Sequence, residues 1–220
     1  MLKHMNISET VINRLSMYMH YLTEQEERGE KLTSSSDIAQ ECGVTAVLVR
    51  KDLARFGRLG VKGIGYYIPD LCQGIKSILG LESRLHIAII GRSDLGLCGI
   101  SFKEFLDSNY VLVALFDTET AATDRSVTSD ILPSVDILPL NRLDEVAQSK
   151  KIDIAIVNTM PSEVQQVVDQ VVKGGIRGII NLSPVYARVP KGYIVKNVCF
   201  ATEQDNLIYL LQSQGIGDGP

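Results

Sequence analysis

The stretch from residue 45 to residue 66 reads TAVLVRKDLARFGRLGVKGIGY and joins a basic helical pattern to a glycine-rich segment. Its first half spaces apolar residues as a helix does, and the predicted inward face consists of Val44, Val47, Leu48, Leu53 and Phe56. Its second half contains four glycines, which favour a tight, exposed hairpin. A basic helix followed by a basic hairpin is the surface that a winged helix-turn-helix presents to duplex DNA.

Positive charge is concentrated in this stretch, where Asp52 is the one acidic residue. The first two cations, Arg50 and Lys51, are predicted to meet base edges or phosphates in the major groove. Arg55 and Arg58 would hold the DNA backbone, and Lys62 on the hairpin would reach the minor groove. The full predicted DNA-binding set is Ser35, Thr45, Arg50, Lys51, Arg55, Arg58, Lys62 and Gly63. A solvated charged helix with an ordinary loop would carry the same charge, so charge alone leaves that alternative open.

The composition of the 220 residues is that of a soluble globular protein with a local basic patch. Net charge is −4, yet residues 1–80 hold ten Lys and Arg against nine Asp and Glu, whereas the remainder holds twelve against seventeen. The four cysteines show no CxxC pairing, so we predict reduced thiols and no metal site. No apolar run approaches the roughly 20 residues that cross a bilayer, and no secretory signal is evident. We expect a cytoplasmic protein without a membrane partner.

A change of pattern near Gly80 predicts two domains. Residues 1–80 are interpreted as a winged-helix DNA-binding domain with three short helices, the hairpin and a further helix over residues 69–79. Ser8, one of the three serines at 34–36, and Thr45 are the predicted N-caps. Residues 81–200 alternate apolar strands with helices, which predicts an α/β fold with a doubly wound parallel sheet of Rossmann type. Residues 201–220 are predicted to be a C-terminal helix.

The predicted strands of the second domain lie at residues 85–90, 111–117, 135–138, 153–157, 177–181 and 193–198. The first of them, LHIAII, is a continuous apolar run, which is typical of a strand buried on both faces. Helices are predicted over residues 95–105, from a cap at Asn141 to Ala147, from a first turn at Pro161 to Val172, and over 201–212. Residues 118–130 are interpreted as a polar loop.

A degenerate nucleotide fingerprint follows the first strand of this domain. The full pattern is G-x-G-x-x-G with an acidic residue about 20 positions on, and here the turn reads GRSDLG over residues 91–96. Asp117 stands where the ribose-binding acid is expected, but Ser93 replaces the middle glycine that lets the backbone approach the pyrophosphate. The predicted NAD(H)-binding set is Gly91, Arg92, Ser93, Asp94, Leu95, Gly96, Asp117, Thr159 and Pro161. A doubly wound domain with an empty pocket is the alternative.

Taken together, the two halves resemble the Rex family of redox-sensing transcriptional repressors over nearly the full length. The resembling segments of the first half are RL at 14–15, VRKDL at 49–53, FG at 56–57 and GIGY at 63–66, with Tyr18 and YL at 21–22. Those of the second half are FD at 116–117, DIAI at 153–156, GI at 175–176 and NLSPV at 181–185. The resemblance implies a homodimer on a palindromic operator, with the C-terminal helix swapped between protomers. It further implies that NADH withdraws the protein from DNA, whereas NAD+ permits binding.

The chain departs from the family pattern mostly around the nucleotide. Where family members have GAGNLG, this chain has GRSDLG, and Phe102 stands where they carry a tyrosine. Their tail segment Val-Asp-Leu here reads Val-Cys-Phe at 198–200. In the family that aspartate pairs with an arginine at the position of Arg14 in one ligand state; Arg14 is present here, but Cys199 stands where its partner aspartate is expected.

Three functions are weighed on this basis. The first is a Rex-type repressor that senses the balance of NADH and NAD+, and the second is a Rex-like DNA-binding paralogue that has lost this response or answers another ligand. The third is a dehydrogenase or CoA-binding enzyme. Hydride-transfer enzymes commonly need a positioned acid or base, most often a histidine. The histidines, His4, His20 and His86, all precede the nucleotide turn, so we predict that the chain is not an enzyme.

Overall fold

The computed structural model describes residues 7–57, 60–61, 63–91, 109–118, 125–129 and 132–214. The chain divides into two units, Met1–Ser83 and Arg84–Pro220. The predicted fold class is confirmed, because a mainly helical N-terminal unit with a hairpin precedes a largely parallel, Rossmann-like sheet covered by helices.

The described part of the N-terminal unit packs four helices around one apolar core. Its elements are α1 (Glu9–Glu27), β1 (Leu32–Thr33), α2 (Ser35–Glu41), α3 (Ala46–Ala54), β2 (Tyr66–Tyr67) and α4 (Ile68–Leu79). Ser34 begins α2 with a capping box that Asp37 completes, and the Thr45 hydroxyl caps α3 by accepting from the Leu48 amide at 3.2 Å. Two predicted caps are therefore present, and they fix where the short helices start.

The inward face of α3 differs from the predicted one. Val49, Asp52 and Leu53 are the buried residues of this helix, whereas Val47 is 66% exposed. Because α3 begins at Ala46 and buries residues spaced three and four apart, Val47 lies about 200° around the helix from Val49 and faces solvent. The prediction for Val47 was wrong, and Val49 takes its place in the core.

The glycine-rich segment forms the predicted hairpin between α3 and β2. Val61 and Gly65 pair across it through backbone hydrogen bonds of 2.8 and 3.0 Å. At its base, β2 pairs antiparallel with β1, so that Thr33 faces Tyr66. Gly65 has a φ of +108°, and a side chain there would place its Cβ 2.4 Å from the Thr33 carbonyl oxygen. Glycine is therefore required where the hairpin passes over β1.

The C-terminal unit is built on a sheet that holds seven strands within its described part, in the order β5-β6-β4-β3-β7-β8-β9. The strands are β3 (Leu85–Gly91), β4 (Tyr110–Asp117), β5 (Arg125–Ser129), β6 (Leu132–Pro139), β7 (Ile154–Asn158), β8 (Gly178–Asn181) and β9 (Ile194–Asn197). All neighbours are parallel except β5 and β6. Alternate residues of the apolar run in β3 enter two separate core clusters, as expected of a strand buried on both faces.

Helices α5 (Leu143–Lys150) and α6 (Val164–Lys173) cover one face of this sheet, and α7 (Phe200–Ser213) ends the described chain. Three details correct the predictions. Residues 125–129 form the edge strand β5 by backbone pairing, so they are not loop. Asn141 lies in a 3-10 turn ahead of α5 and does not cap it. Pro161 lies in a turn before α6, which begins only after Glu163.

Within the described part of the chain, helix α7 buries none of its residues. Its large apolar side chains are more than one-third exposed: Phe200, Leu207, Ile208, Tyr209, Leu210 and Leu211. An isolated helix of about 14 residues is marginal in water, and a helix that is apolar over much of its circumference needs a covering surface.

Candidate functional sites

The outer face of α3 carries cations and no carboxylate. Arg50, Lys51 and Arg55 are exposed, and Asp52 points inward with 1% of its side chain accessible. The predicted contacts Arg58 and Lys62 lie outside the described residues. The structure thus presents three of the predicted DNA-contacting cations on one exposed surface, and nothing acidic from α3 offsets them there.

A cleft of about 550 Å³ separates α3 from the hairpin. Ser35, Arg50 and Gly63, all predicted DNA contacts, line it together with Val61 and Tyr66. One guanidinium nitrogen of Arg50 donates a hydrogen bond of 2.8 Å to the Ser35 hydroxyl. This bond restrains the arginine at the cleft before any ligand binds, and a restrained side chain loses less entropy on binding. Thr45 lies at the exposed N-terminus of the same helix.

Beneath this surface, Asp52 is held by two residues of α1. The Arg14 guanidinium donates to both carboxylate oxygens, at 2.6 and 2.8 Å, and the buried Tyr18 hydroxyl donates at 3.1 Å. Burial opposes ionisation of Asp52, but the hydrogen bonds from Arg14 and Tyr18 hold its pKa below the ordinary value. Burial and the neighbouring carboxylate raise the pKa of Tyr18 to about 12, so the phenol keeps its proton.

This trio was not predicted as a site. The sequence marked Arg14, Tyr18 and Asp52 as parts of a resemblance, and Asp52 also as the charge opposing the cations. In the described residues Arg14 pairs with Asp52 of its own unit. Cys199, which stands where the resemblance places the partner aspartate, occupies the N-cap position of α7, where hydrogen bonds with Thr202 lower the pKa of the thiol.

In the sheet of the second unit, the order in which strands are added reverses beside β3. From β3 the chain moves outward through β4 to β6, then returns to β7 on the other side of β3. Ligands of open α/β sheets bind at the carboxyl ends of strands at such a switch point. Gly91 lies there, in register with Asp117 on one neighbour and Asn158 on the other. The sheet therefore brings three chain segments, including two predicted nucleotide contacts, to one edge.

Polar groups at this edge fit a hydroxylated ligand. Asp117 is 6% exposed at the end of β4, and the next residue, Thr118, donates its amide to the Gly91 carbonyl at 3.2 Å. The Thr118 hydroxyl is buried and has no hydrogen-bond partner in the described part of the chain. A carboxylate beside an unsatisfied hydroxyl suits the ribose of a nucleotide. The turn residues Arg92, Ser93, Asp94, Leu95 and Gly96, and Phe102 with the helix predicted around it, lie outside the described residues.

The loop after β7 is fixed by a buried network that the sequence did not reveal as such. Thr159 is 4% exposed, its amide donates to the Ser183 hydroxyl at 2.9 Å, and that hydroxyl donates to the Thr159 carbonyl at 2.9 Å. Asn181 accepts from the Ser183 amide and donates to Asn197 and to the Val185 carbonyl. Ser183, Asn181 and Asn197 thereby anchor the edge that carries Thr159. Pro161 lies nearby in sequence but is exposed in the following turn.

Two family models match the chain. One, described as "Putative DNA-binding protein N-terminus", matches residues 6–54, and the other, described as "CoA binding domain", matches residues 82–185. The redox-sensing transcriptional repressor Rex of Desulfitobacterium hafniense is 34% identical over 94% of this chain and 97% of its own length. The Rex protein of Syntrophobacter fumaroxidans is 35% identical over 96% and 98%. The chain belongs to the Rex family.

Solved structures agree with this membership. The Rex-family repressor RSP in complex with β-NAD+ and operator DNA matches with a TM-score of 0.83 at 29% identity, covering 97% of this chain and 96% of that one. RSP in complex with β-NADH matches with a TM-score of 0.80 at 28% identity, covering 96% of each chain. The Rex resemblance drawn from the RKDL and GxGY segments is therefore confirmed. In the described residues of this Rex chain, no helix is long and apolar enough to cross a membrane, and no cluster of metal-binding side chains occurs.

Proposed function

We propose that this Rex-family chain is a DNA-binding transcriptional repressor whose hold on its operator responds to NADH and NAD+. The observation that carries the DNA half is the outer face of α3, where Arg50, Lys51 and Arg55 are exposed beside the hairpin cleft while Asp52 is withdrawn. Such a face gives phosphate attraction without a repelling carboxylate. Its relatives carry the name of redox-sensing repressors, and RSP has been solved with operator DNA.

The proposed response to NAD(H) is based on the carboxyl ends of β3, β4 and β7, where the strand order reverses. Asp117 would hold a ribose, the Thr118 hydroxyl offers it an unsatisfied partner, and Thr159 sits on the neighbouring anchored loop. Bound NAD(H) would supply two redox states that differ in charge at the nicotinamide. A carboxylate at Asp117 favours a free 2′-hydroxyl over a 2′-phosphate, so we infer a preference for NADH over NADPH. The solved complexes of RSP with β-NAD+ and β-NADH support the proposal that this edge binds NAD(H).

A second candidate is a repressor that no longer responds to NAD(H). It is favoured by Ser93 and Asp94 in the turn, which add bulk and negative charge where a pyrophosphate would lie. An enzyme is not favoured. His86 stands near the start of β3, away from the carboxyl edge, and its Nδ1 is 2.8 Å from the Lys150 carbonyl oxygen. We propose that the protein has no catalytic role and acts in the cytoplasm.

The uncovered helix α7 supports a homodimer. Apolar side chains along it are exposed in the single chain, and a second copy offers a matching surface by symmetry. We propose that α7 packs on the partner protomer, so that two copies of α3 read the two halves of a palindromic operator.

The DNA function is tested by selecting duplexes from a randomised pool with the wild-type protein. A palindrome is expected to emerge, and its binding is expected to weaken steeply with salt. Arg50→Ala should lower affinity and reduce the slope of log affinity against log salt by about 1 per protomer bound. Lys173→Ala, which removes an exposed cation from α6 of the other unit, is the matched control and should leave the slope unchanged. Failure to enrich any duplex contradicts the proposal.

Sensing is tested by calorimetry with NADH, NAD+ and NADPH, followed by the same titrations on the DNA complex. Micromolar NADH binding that releases the duplex, with NADPH weaker, supports the first candidate. Absence of binding at millimolar nucleotide supports the second. Ser93→Gly then locates the defect, because removing the side chain is expected to restore affinity if crowding at the turn causes the loss.

A further inference from the structure

The buried contact between α1 and α3 is polar although its surroundings are apolar. At most 1% of Asp52 or Tyr18 is exposed, and the surrounding apolar core includes Leu15, Leu22 and Leu53. Apolar residues of similar volume often stabilise such a position as well as an ion pair does. Fixing one arrangement of packed elements is the best-attested use of buried polar groups. The trio therefore points to a geometric role.

The geometry of the trio fixes how far α3 is rotated about its own axis. Arg14 grips the Asp52 carboxylate at both oxygens, and Tyr18 adds a third hydrogen bond from one turn further along α1. Successive helical residues are about 100° apart, so Arg50, two positions before Asp52, points roughly 160° away from it. Holding Asp52 inward thus aims Arg50 outward, toward the cleft where it meets Ser35.

On the basis of the function proposed above, we propose that Arg14 and Tyr18 are positioning residues for Arg50, acting through Asp52 to set the rotation of the recognition helix. Neither α1 residue needs to touch DNA for this. Their effect on DNA affinity passes through Arg50, and it falls on the discrimination between operator and unrelated duplex. A rotated α3 would still attract phosphates but would present its cations to the wrong base edges.

The test is a double-mutant cycle measured on the selected palindrome and on an unrelated duplex of equal length. Tyr18→Phe and Asp52→Asn are each made in the wild-type and Arg50→Ala backgrounds. Each is expected to lower the ratio of specific to non-specific affinity at least tenfold in the wild-type background, and by a clearly smaller factor once Arg50 is absent, when Lys51 still depends on the rotation of α3. Arg14→Lys, which keeps the charge but loses the bidentate grip, is expected to fall between wild type and Asp52→Asn.

The control is Ile75→Val, which trims a fully buried side chain of α4 in the same core without touching the trio. It is expected to lower thermal stability while leaving the affinity ratio unchanged, and all binding is measured well below each variant's Tm. Equal effects of Tyr18→Phe and Asp52→Asn in both backgrounds overturn the positioning role. A wild-type protein that prefers no duplex overturns the proposed function itself, so the two failures are distinguishable.

Discussion

At the scale of single residues, Arg14 and Asp52 are unequally buried, so removing one or the other from their ion pair has a different cost in folding free energy. The arginine side chain is 16% exposed and reaches water, whereas the aspartate is 1% exposed and does not. Loss of the arginine leaves a buried charge without its partner, but loss of the aspartate leaves a cation that solvent can still hydrate. The two halves of one pair therefore carry different free-energy costs.

Arg14→Met is expected to destabilise the N-terminal unit by about 3–5 kcal/mol, since it strands the Asp52 carboxylate in the core. Asp52→Asn removes the same ion pair but leaves no buried charge without a partner, so its expected cost in unfolding free energy is about 1–3 kcal/mol. Denaturant unfolding of both variants, with the exposed-pair variant Arg28→Met as control, measures the difference. Equal losses for Arg14→Met and Asp52→Asn would count against this account.

The depressed pKa of Asp52 predicts a particular pH dependence. Because the folded pKa lies below the unfolded value of 3.8, the carboxylate stabilises the fold fully above that value. The contribution is lost as pH falls through the folded pKa, where the native side chain takes up a proton. The gap in unfolding free energy between wild type and Asp52→Asn is expected to be constant from about pH 7 to 5 and to shrink below about pH 4. A gap that persists unchanged at pH 2 would be inconsistent with the ion pair.

At the scale of elements, the hairpin depends on two glycines with different surroundings. Gly65 has a positive φ and no room, since a Cβ would meet the Thr33 carbonyl oxygen. Gly63 has a φ of +82° but open space around it. The first glycine is therefore needed for both conformation and close approach, and the second for conformation alone.

Gly65→Ala is expected to destabilise the N-terminal unit by about 3 kcal/mol or more, because β1 and the hairpin must separate to admit the methyl group. Gly63→Ala, the matched control, is expected to cost about 1–2 kcal/mol for the left-handed backbone alone. Thermal unfolding of the two variants side by side gives the comparison. Similar losses would mean that the contact between the hairpin and Thr33 is not tight.

Elements with strong local signals could be predicted from the sequence, and those fixed by distant partners could not. The mostly apolar run LHIAII predicted a strand buried on both faces. Thr45 predicted the start of α3, because a threonine hydroxyl can accept a hydrogen bond from the first turn of a helix. In contrast, β5 has a polar sequence and becomes a strand only by pairing with β6. The burial of Asp52 depends on Arg14, 38 positions earlier, and a charge count around α3 cannot show that. The edge carrying Asp117 was predictable from spacing, whereas the anchoring of Thr159 by Ser183 required the folded loop.

At the scale of the whole molecule, the exposed apolar side chains of α7 are the basis of the proposed homodimer. Leu207→Asp places a charge among the exposed apolar side chains of α7 and is expected to weaken the proposed dimer by about thirtyfold or more. Gln204→Asp adds the same charge at a polar position of the same helix and serves as the control. Sedimentation velocity over a range of concentrations measures both. A Leu207→Asp protein that stays dimeric at the same concentrations as wild type would place the interface elsewhere.

The uncovered surface of α7 also has a consequence for synthesis in the cell. If α7 is covered by a second copy, as proposed above, a newly released chain exposes Phe200, Leu207 and Tyr209 until that copy binds, and apolar surface of this kind favours aggregation or capture by chaperones. Encounters between chains increase with the square of their concentration, whereas capture of a lone chain increases only in proportion. The proposed dimer therefore predicts that the amount of functional protein rises more steeply than its rate of translation, and that slow expression loses a larger share of the chains made.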